Sequence, residues 1–133
     1  MGIDYGLRRT GISVTDPLQI IVQGLDTQKT EDLIPFIRNY AAREPIDLFV
    51  VGYPFLEGAW GNKGFKTKID DFIAELKKLF PAIEVKLHDE RFSSMRAREI
   101  ILQSGVSKRK RQSKELLDQT SAVVILQEYL GHI

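Results

Sequence analysis

The sequence contains no cysteine, and this absence excludes disulfide bonds and zinc sites built on thiolates. It also has no apolar run of the length that crosses a bilayer, which argues against a membrane partner. A basic segment followed by an apolar one, as in secretory leaders, is missing from its start. We therefore expect a cytoplasmic protein.

A large excess of charge of one sign is also missing, because the formal net charge of the 133 residues is only +1. The length suits a single domain spanning residues 1–133, which must supply any functional site by itself. Lysine and arginine are nevertheless concentrated in residues 107–114. A local basic patch, rather than the net charge, is thus the feature that bears on binding partners.

The pattern of apolar residues predicts an α/β domain. Strands at 2–6, 9–15 and 19–25, separated by short turns, form an antiparallel meander. Beyond them, helices at 30–43, 66–79, 94–103 and 114–130 alternate with short buried strands at 47–52 and 83–88. Strands that alternate with helices pair in parallel, so we expect a mixed five-stranded sheet with helices on its faces.

Asp4 is the first candidate for a functional side chain. It lies in the short strand GIDYG, where Ile3 and Tyr5 should point to the opposite face of the sheet. The flanking glycines permit close approach of backbone or ligand. The motif is short, and a turn aspartate that accepts hydrogen bonds from local backbone explains it equally well.

Asp118 is the second candidate, because it shares a predicted helix face with Ala122 and Ile125. Burying an unpaired carboxylate on such a face costs on the order of several kcal/mol unless a partner or a metal ion offsets it. The alternative is an aspartate in the first turns of the helix, where the helix dipole favours a negative charge.

Glu90 is the third candidate, at the end of the strand 83–88. Ligands of α/β proteins bind at the carboxyl ends of parallel strands. If the strand continues, Asp89 and Glu90 point in opposite directions, so only one of them can join Asp4. We expect His88 to be a structural imidazole, because phosphodiester hydrolysis by two metals does not require it.

Carboxylates that converge in a fold bind hard divalent cations, and these ions activate water against phosphodiesters. The sequence therefore predicts a metal-dependent nuclease with Asp4, Glu90 and Asp118 as its catalytic and metal-binding residues. The expected cofactor is Mg²⁺ or Mn²⁺. In the expected mechanism Asp4 bridges two ions, the other two acids each hold one, and water attacks phosphorus in line.

The basic segment 107–114 precedes the Asp118 helix and contains no aromatic residue with which to read bases. It should bind phosphate backbone, although a solvated run of charge is the alternative. Phe55 and Trp60 could stack on an unpaired base or cap the core. The predicted nucleic-acid-binding residues are all basic: Arg8, Arg9, Arg91, Lys108, Arg109, Lys110, Arg111 and Lys114.

Several motifs in this order resemble one family over nearly the whole chain. They are GIDYG with RTG at 9–11 and VTDP at 14–17, VVGYP at 50–54, DERFSS at 89–94, and Asp118 ahead of ILQEYL at 125–130. The chain resembles the YqgF family, the bacterial pre-16S rRNA nucleases that are also called RuvX-type Holliday junction resolvase homologues. The resemblance implies an RNase H-like fold and a two-metal nuclease site whose acids would be Asp4, Glu90 and Asp118.

The chain departs from the family pattern in two places, and the second bears on the substrate. Family members usually carry a pair of alanines two residues after the last acid, where this chain has Thr120-Ser121-Ala122. Junction resolvases of this fold end the first crossover strand with an acid, where this chain has Gly52-Tyr53-Pro54. The expected substrate is therefore the 5′ end of pre-16S rRNA, with branched DNA as the alternative.

Two other classes of protein are compatible with parts of the pattern. Sugar kinases and actin-like ATPases share the fold, but they need two such domains around a nucleotide, and 133 residues are too few. An inactive nuclease that binds RNA during ribosome assembly is the second class. Metal binding separates it from an enzyme, since a non-catalytic module has no reason to retain three convergent carboxylates.

Overall fold

A computed structural model describes residues 1–55, 63–90 and 93–133, apart from the side chains at positions 63, 94 and 111. Within these ranges the strands are β1 Gly2–Asp4, β2 Arg9–Thr15, β3 Val22–Lys29, β4 Leu48–Tyr53 and β5 Glu84–Asp89. The helices are α1 Leu33–Arg43, α2 Lys63–Leu79, α3 Ser93–Gln103, α4 Lys108–Arg111 and α5 Lys114–Tyr129, and a 3₁₀ turn over Thr30–Asp32 precedes α1.

The five strands form one sheet in the order β3-β2-β1-β4-β5. The first three pair antiparallel, while β1 with β4 and β4 with β5 pair in parallel. The predicted mixed sheet, a meander followed by parallel crossover strands, is thereby confirmed.

Helices cover both faces of this sheet. On one face, α1 and α2 contribute Leu33, Ile37 and Leu76 to the main core, which also contains Ile3 and Phe49 from the strands. On the other face, Ile125 and Leu126 of α5 pack against Val50 of β4. The ring of Tyr5 stacks on Phe72 of α2 with centroids 4.9 Å apart, so Tyr5 points away from α5, as the strand alternation predicts.

Several predicted bounds differ from the observed ones, and in two places a side chain explains the difference. β3 begins at Val22 rather than residue 19 because the Asp16 carboxylate accepts hydrogen bonds from the amides of Ile20 and Ile21 and holds 16–21 as a turn. It continues to Lys29, which pairs with Arg9 at the start of β2. The basic segment, which joins two predicted helices, contains the short helix α4, because the Ser107 hydroxyl caps it by accepting from the Lys110 amide.

No helix in the described ranges has the length and apolarity required to cross a membrane.

Candidate catalytic site

Glycines in four neighbouring strands let α5 lie directly on the sheet. A Cβ atom at Gly24 would come within 2.5 Å of Gln119 Cγ, and one at Gly52 within 2.6 Å of Ile125 Cδ1. At Gly11 it would overlap the backbone carbonyl of Asp118. Any larger side chain at these positions would push the helix outward, so the glycines determine how closely α5 approaches.

This close approach places Asp118 beside Asp4. Gly11, which lies under Asp118, is the partner of Asp4 in the antiparallel register. On the other side of Asp4, the parallel register of β1 and β4 brings Gly52 alongside. A Cβ atom at Gly52 would be only 3.4 Å from Glu90 Cβ. Asp4 thus lies between Gly11 and Gly52. Asp118 lies against Gly11, and Glu90 lies beside Gly52.

Two of the predicted acids act electrostatically on the third. Burial and the charges of Glu90 and Asp118 raise the pKa of Asp4 from 3.8 to about 8. Burial, and then the neighbouring Asp89, raise the pKa of Glu90 above its ordinary value. It is therefore Glu90, rather than Asp89, whose charge acts on Asp4. The charges of both Glu90 and Asp118 therefore act on Asp4.

Arg9 contacts this site directly. Its Nε donates a hydrogen bond to Asp118 Oδ2 at 3.0 Å, in a pair whose side chains are 36% and 23% exposed. Burial raises the pKa of Asp118, and the Arg9 guanidinium opposes that effect. Sequence reasoning singled out both residues but missed their pairing, because they are far apart in the chain. The only signal was an acid on an apolar face, which needs a partner.

A threonine pair fixes the β1–β2 turn that carries Arg8 and Arg9. Thr30 Oγ1 donates to the Gly6 carbonyl at 2.6 Å and lies 2.9 Å from Thr10 Oγ1. The Thr30 amide also donates to the Arg8 carbonyl at 2.9 Å. Sequence reasoning missed this brace, since nothing in the pattern joins residue 30 to the turn. Arg8 itself is exposed beside the turn.

The chemistry of the three predicted acids, rather than their arrangement, suits a hard divalent cation. No group of three or more histidine, cysteine, aspartate or glutamate side chains in the described part of the chain is arranged to hold a metal ion, and Asp118 is occupied by Arg9. The chemistry of the set nevertheless suits Mg²⁺ or Mn²⁺, since these ions prefer carboxylate oxygens. A cation would also relieve the repulsion that contributes to the raised pKa of Asp4.

The basic segment ends close to the acids. Lys114, at the start of α5, lies near enough to Asp118 to lower that carboxyl group's pKa. The side chains of Lys108, Arg109 and Lys110 are exposed on and beside α4, and Arg111 ends α4. The segment thus presents positive charge to solvent on a surface that continues to the Asp118 helix.

Other predicted side chains lie elsewhere. Arg91 and Trp60 are outside the described residues. Phe55 is 52% exposed and meets the Tyr53 ring edge-on, with centroids 5.0 Å apart. His88 Nε2 lies 3.5 Å from Glu128 Oε1, so the imidazole has a partner on α5.

The chain is similar to two bacterial proteins over nearly its whole length. It is 45% identical over 132 residues to a protein of Porphyromonas gingivalis named "Putative pre-16S rRNA nuclease", covering 99% of this chain and 95% of that one. It is 43% identical over 130 residues to a protein of the same name from Bacteroides thetaiotaomicron, covering 98% and 94%.

A solved structure has the same fold. The fowlpox virus resolvase, crystallised with substrate Holliday junction DNA, superposes with a TM-score of 0.51 at 12% identity, covering 99% of this chain and 98% of that one. The family model described as "RuvX: Holliday junction resolvase" matches residues 1–132. This match and the two bacterial relatives confirm the resemblance inferred from the motifs, and the chain belongs to the RuvX family.

Proposed function

We propose that the protein is a metal-dependent nuclease that hydrolyses phosphodiester bonds, acting in the cytoplasm on the 5′ end of pre-16S rRNA. The observation that supports the proposal is the electrostatic effect on Asp4, where burial and the charges of Glu90 and Asp118 raise the pKa to about 8. A buried carboxylate beside two other acids destabilises a fold unless a proton or a cation neutralises it, and such strongly perturbed groups are typical of catalytic sites. The names of the bacterial relatives support the choice of substrate.

In this proposal Asp4, Glu90 and Asp118 hold Mg²⁺ or Mn²⁺. When bound, these ions supply Lewis-acid stabilisation of the phosphoryl oxygens and activation of water. The chain itself contributes a rigid placement, since α5 rests on Gly11 and keeps Asp118 beside Asp4. Asp4 must release its proton before it can act as a ligand, so binding of the metal should be coupled to proton release.

Arg9 and the basic segment act on the nucleic acid. Arg9 neutralises Asp118 in the absence of metal, and once released its guanidinium can donate two hydrogen bonds to a phosphate. The exposed lysines and arginine of 108–110 attract phosphate backbone to the same end of α5. Because the segment has no aromatic side chain, binding through it should depend little on base sequence.

Branched DNA is the second candidate substrate, favoured by the family description and by the fold shared with the fowlpox resolvase. One experiment separates the two. Purified protein is incubated with Mn²⁺ or with EDTA, on a fragment containing the 5′ end of pre-16S rRNA and on a four-way DNA junction. We expect metal-dependent cleavage of the RNA. Cleavage of the junction alone would make the protein a resolvase, and cleavage of neither would overturn the nuclease assignment.

The basic segment should govern affinity without sequence preference. Replacing Lys108, Arg109, Lys110 and Arg111 with alanine should weaken binding to unrelated RNA sequences about equally. It should flatten the dependence of log K on log salt by about 0.7 to 0.9 for each phosphate that the variant no longer binds. Folding should survive, because the described side chains of the segment are exposed. Salt titrations on single-stranded RNA and on a junction measure both slopes.

The matched control removes four exposed basic side chains from α1 and α2, on the other face of the sheet: Arg38, Arg43, Lys77 and Lys78. It changes the net charge by the same amount, so its slope should stay close to that of the wild type. Equal slopes for the wild type, the segment variant and the control would show that the segment is solvated surface and does not bind phosphate. A weaker salt dependence on RNA alone would favour rRNA processing over junction resolution.

Arg9 should weaken the binding of metal and increase the rate at which the substrate is cleaved. Arg9→Gln removes a positive charge 3.0 Å from Asp118, so we expect Mn²⁺ to bind about tenfold more tightly. The same variant loses a phosphate donor, so kcat/KM should fall by about tenfold or more. Isothermal titration with Mn²⁺ and a cleavage assay measure the two quantities. Arg38→Gln on α1 is the control, and a parallel loss of metal affinity and activity would contradict the assigned role.

A further inference from the structure

The turn between β2 and β3 exposes large aliphatic side chains. This segment, residues 16–21, is called the tip. Leu18, Ile20 and Ile21 in the tip are 77%, 66% and 67% exposed, the highest values among the large hydrophobic residues of the described chain. Contiguous apolar side chains at a surface are characteristic of protein interaction sites.

The tip is held in one conformation by Asp16. Its carboxylate accepts hydrogen bonds from the amides of Leu18, Ile20 and Ile21 at 3.3, 2.8 and 2.7 Å. Gln19 between them has φ +58°, a left-handed conformation that non-glycine residues adopt only where neighbouring contacts impose it. Binding of a partner would therefore cost little entropy for ordering the tip.

A groove of about 170 Å³ adjoins the tip and is negatively charged. Pro17 and Gln19 form part of its wall, while Asp16, Glu44 and Asp47 supply carboxylates, and none of the described lysine or arginine side chains lines it.

The tip and groove lie far from the candidate catalytic site. Met1, which precedes β1, and Leu48, which begins β4, line the groove, whereas Asp4 and Gly52 lie towards the carboxyl ends of these strands. Thr15 ends β2 at the groove, and Arg9 begins it at the catalytic site. A molecule bound at the groove would leave the acids accessible.

We propose that the tip and its groove bind a basic, apolar segment of a partner protein. Aliphatic side chains of the partner pack on Leu18, Ile20 and Ile21, and its lysine or arginine side chains pair with Glu44 and Asp47. Nucleic acid fits poorly, because its phosphates would meet carboxylates. A symmetric pairing of two copies fits poorly for the same reason, since each acidic groove would face the other.

The test uses 15N-labelled protein and three synthetic twelve-residue peptides. One alternates lysine with leucine, the second replaces lysine with glutamate, and the third replaces leucine with serine. We expect saturable chemical-shift changes at tip and groove residues with the first peptide, and at least tenfold weaker binding of the other two. Shifts scattered over the surface, equal binding of the glutamate peptide, or no binding at all would each overturn the proposal.

Variants test whether the lysine–leucine peptide binds at the tip and its groove. The triple change of Leu18, Ile20 and Ile21 to serine should weaken the lysine–leucine peptide at least tenfold, and Glu44→Lys with Asp47→Lys should do the same. Leu102→Ser on α3, where the side chain is 60% exposed, is the matched control and should bind as the wild type does. All of these residues are outside the catalytic site, so nuclease activity on RNA should be unchanged. Tip binding is therefore measurable whether or not the nuclease assignment holds.

The competing occupants are tested on the same protein. Because the chain has no cysteine, Ile20→Cys introduces a unique thiol for a photoactivated cross-linker. The cross-linker at position 20 should react with the lysine–leucine peptide, and the reacted protein should form no other cross-link there. Cross-linking mainly to a second copy, with a dimer in sedimentation analysis, or mainly to RNA would overturn the assignment of a basic protein partner.

Discussion

Asp4→Asn should abolish hydrolysis and, in the absence of divalent metal, stabilise the fold. Asp4 is a ligand of the proposed metal site, and loss of one such carboxylate would remove several kcal/mol of transition-state stabilisation, so we expect the rate to fall by about 10³-fold or more. Binding of nucleic acid should remain largely intact, because the basic segment is unchanged. The gain in stability follows from the burial of the Asp4 charge and from the repulsion that Glu90 and Asp118 exert on it.

The pH dependence of that gain has a definite sign. The pKa of Asp4 is raised to about 8 in the folded protein, against 3.8 ordinarily, so between these values the folded state holds a proton that the unfolded chain releases. The free energy of unfolding of the wild type should therefore fall as pH rises from about 4 to about 8. The asparagine side chain cannot ionise, so the variant should be the more stable protein at pH 9, by on the order of 3 kcal/mol, and gain little at pH 4.

Urea unfolding at pH 4, 7 and 9 with EDTA measures this difference. Adding Mn²⁺ at pH 7.5 should raise the Tm of the wild type and leave that of Asp4→Asn nearly unchanged, because only the wild type binds the ion tightly. Asp26→Asn, at an exposed position on β3, is the control for loss of a negative charge. Equal activity of Asp4→Asn and wild type would contradict the site, and a less stable variant at pH 9 would contradict the electrostatics.

Gly11→Ala should be the most damaging change of a single methyl group. The added Cβ would overlap the backbone carbonyl of Asp118, and neither β2 nor α5 can move away without losing packing. We expect a loss of about 3 kcal/mol in the free energy of unfolding. In the molecules that fold, α5 must shift outward and carry Asp118 away from Asp4. A displacement of this kind costs about 10²-fold in activity or more.

Gly131→Ala is the matched control, just beyond the carboxyl end of α5. Its φ of +76° makes alanine unfavourable by about 1 kcal/mol, but a Cβ atom there meets nothing within 4 Å. Activity should therefore be unchanged. Urea unfolding and cleavage assays on both variants separate conformational strain from displacement of the helix. A fully active Gly11→Ala protein would show that close contact of α5 with the sheet is not required.

Strands, helices and their order could be predicted from the sequence, because they depend on local spacing. The apolar residues of β4 and the periodic face of α2 identify these elements from short windows. Predictions were less accurate where a side chain controls the backbone. Asp16 delays the start of β3, and Ser107 caps a helical turn in the basic segment. Each effect depends on local hydrogen bonds that no periodicity reveals.

The three candidate acids were also identifiable from the sequence, because a carboxylate in a strand or on an apolar helix face is costly without a purpose. What the sequence could not supply is their relation to one another. Asp118 reaches Asp4 only because Gly11 lets α5 touch the sheet, and Glu90 is next to Gly52 only because the parallel strands are in register. These contacts join residues that are distant in the chain.

The sequence by itself therefore determined the elements, the residue types of the candidate site and the family. The tertiary structure alone decided that Arg9 pairs with Asp118, that Glu90 rather than Asp89 acts on Asp4, and that the tip is held in one conformation and exposed beside an acidic groove. The physical reason is that local propensity acts over a few residues. Coulombic interactions, desolvation and packing depend on distances in space, and only the folded chain sets those distances.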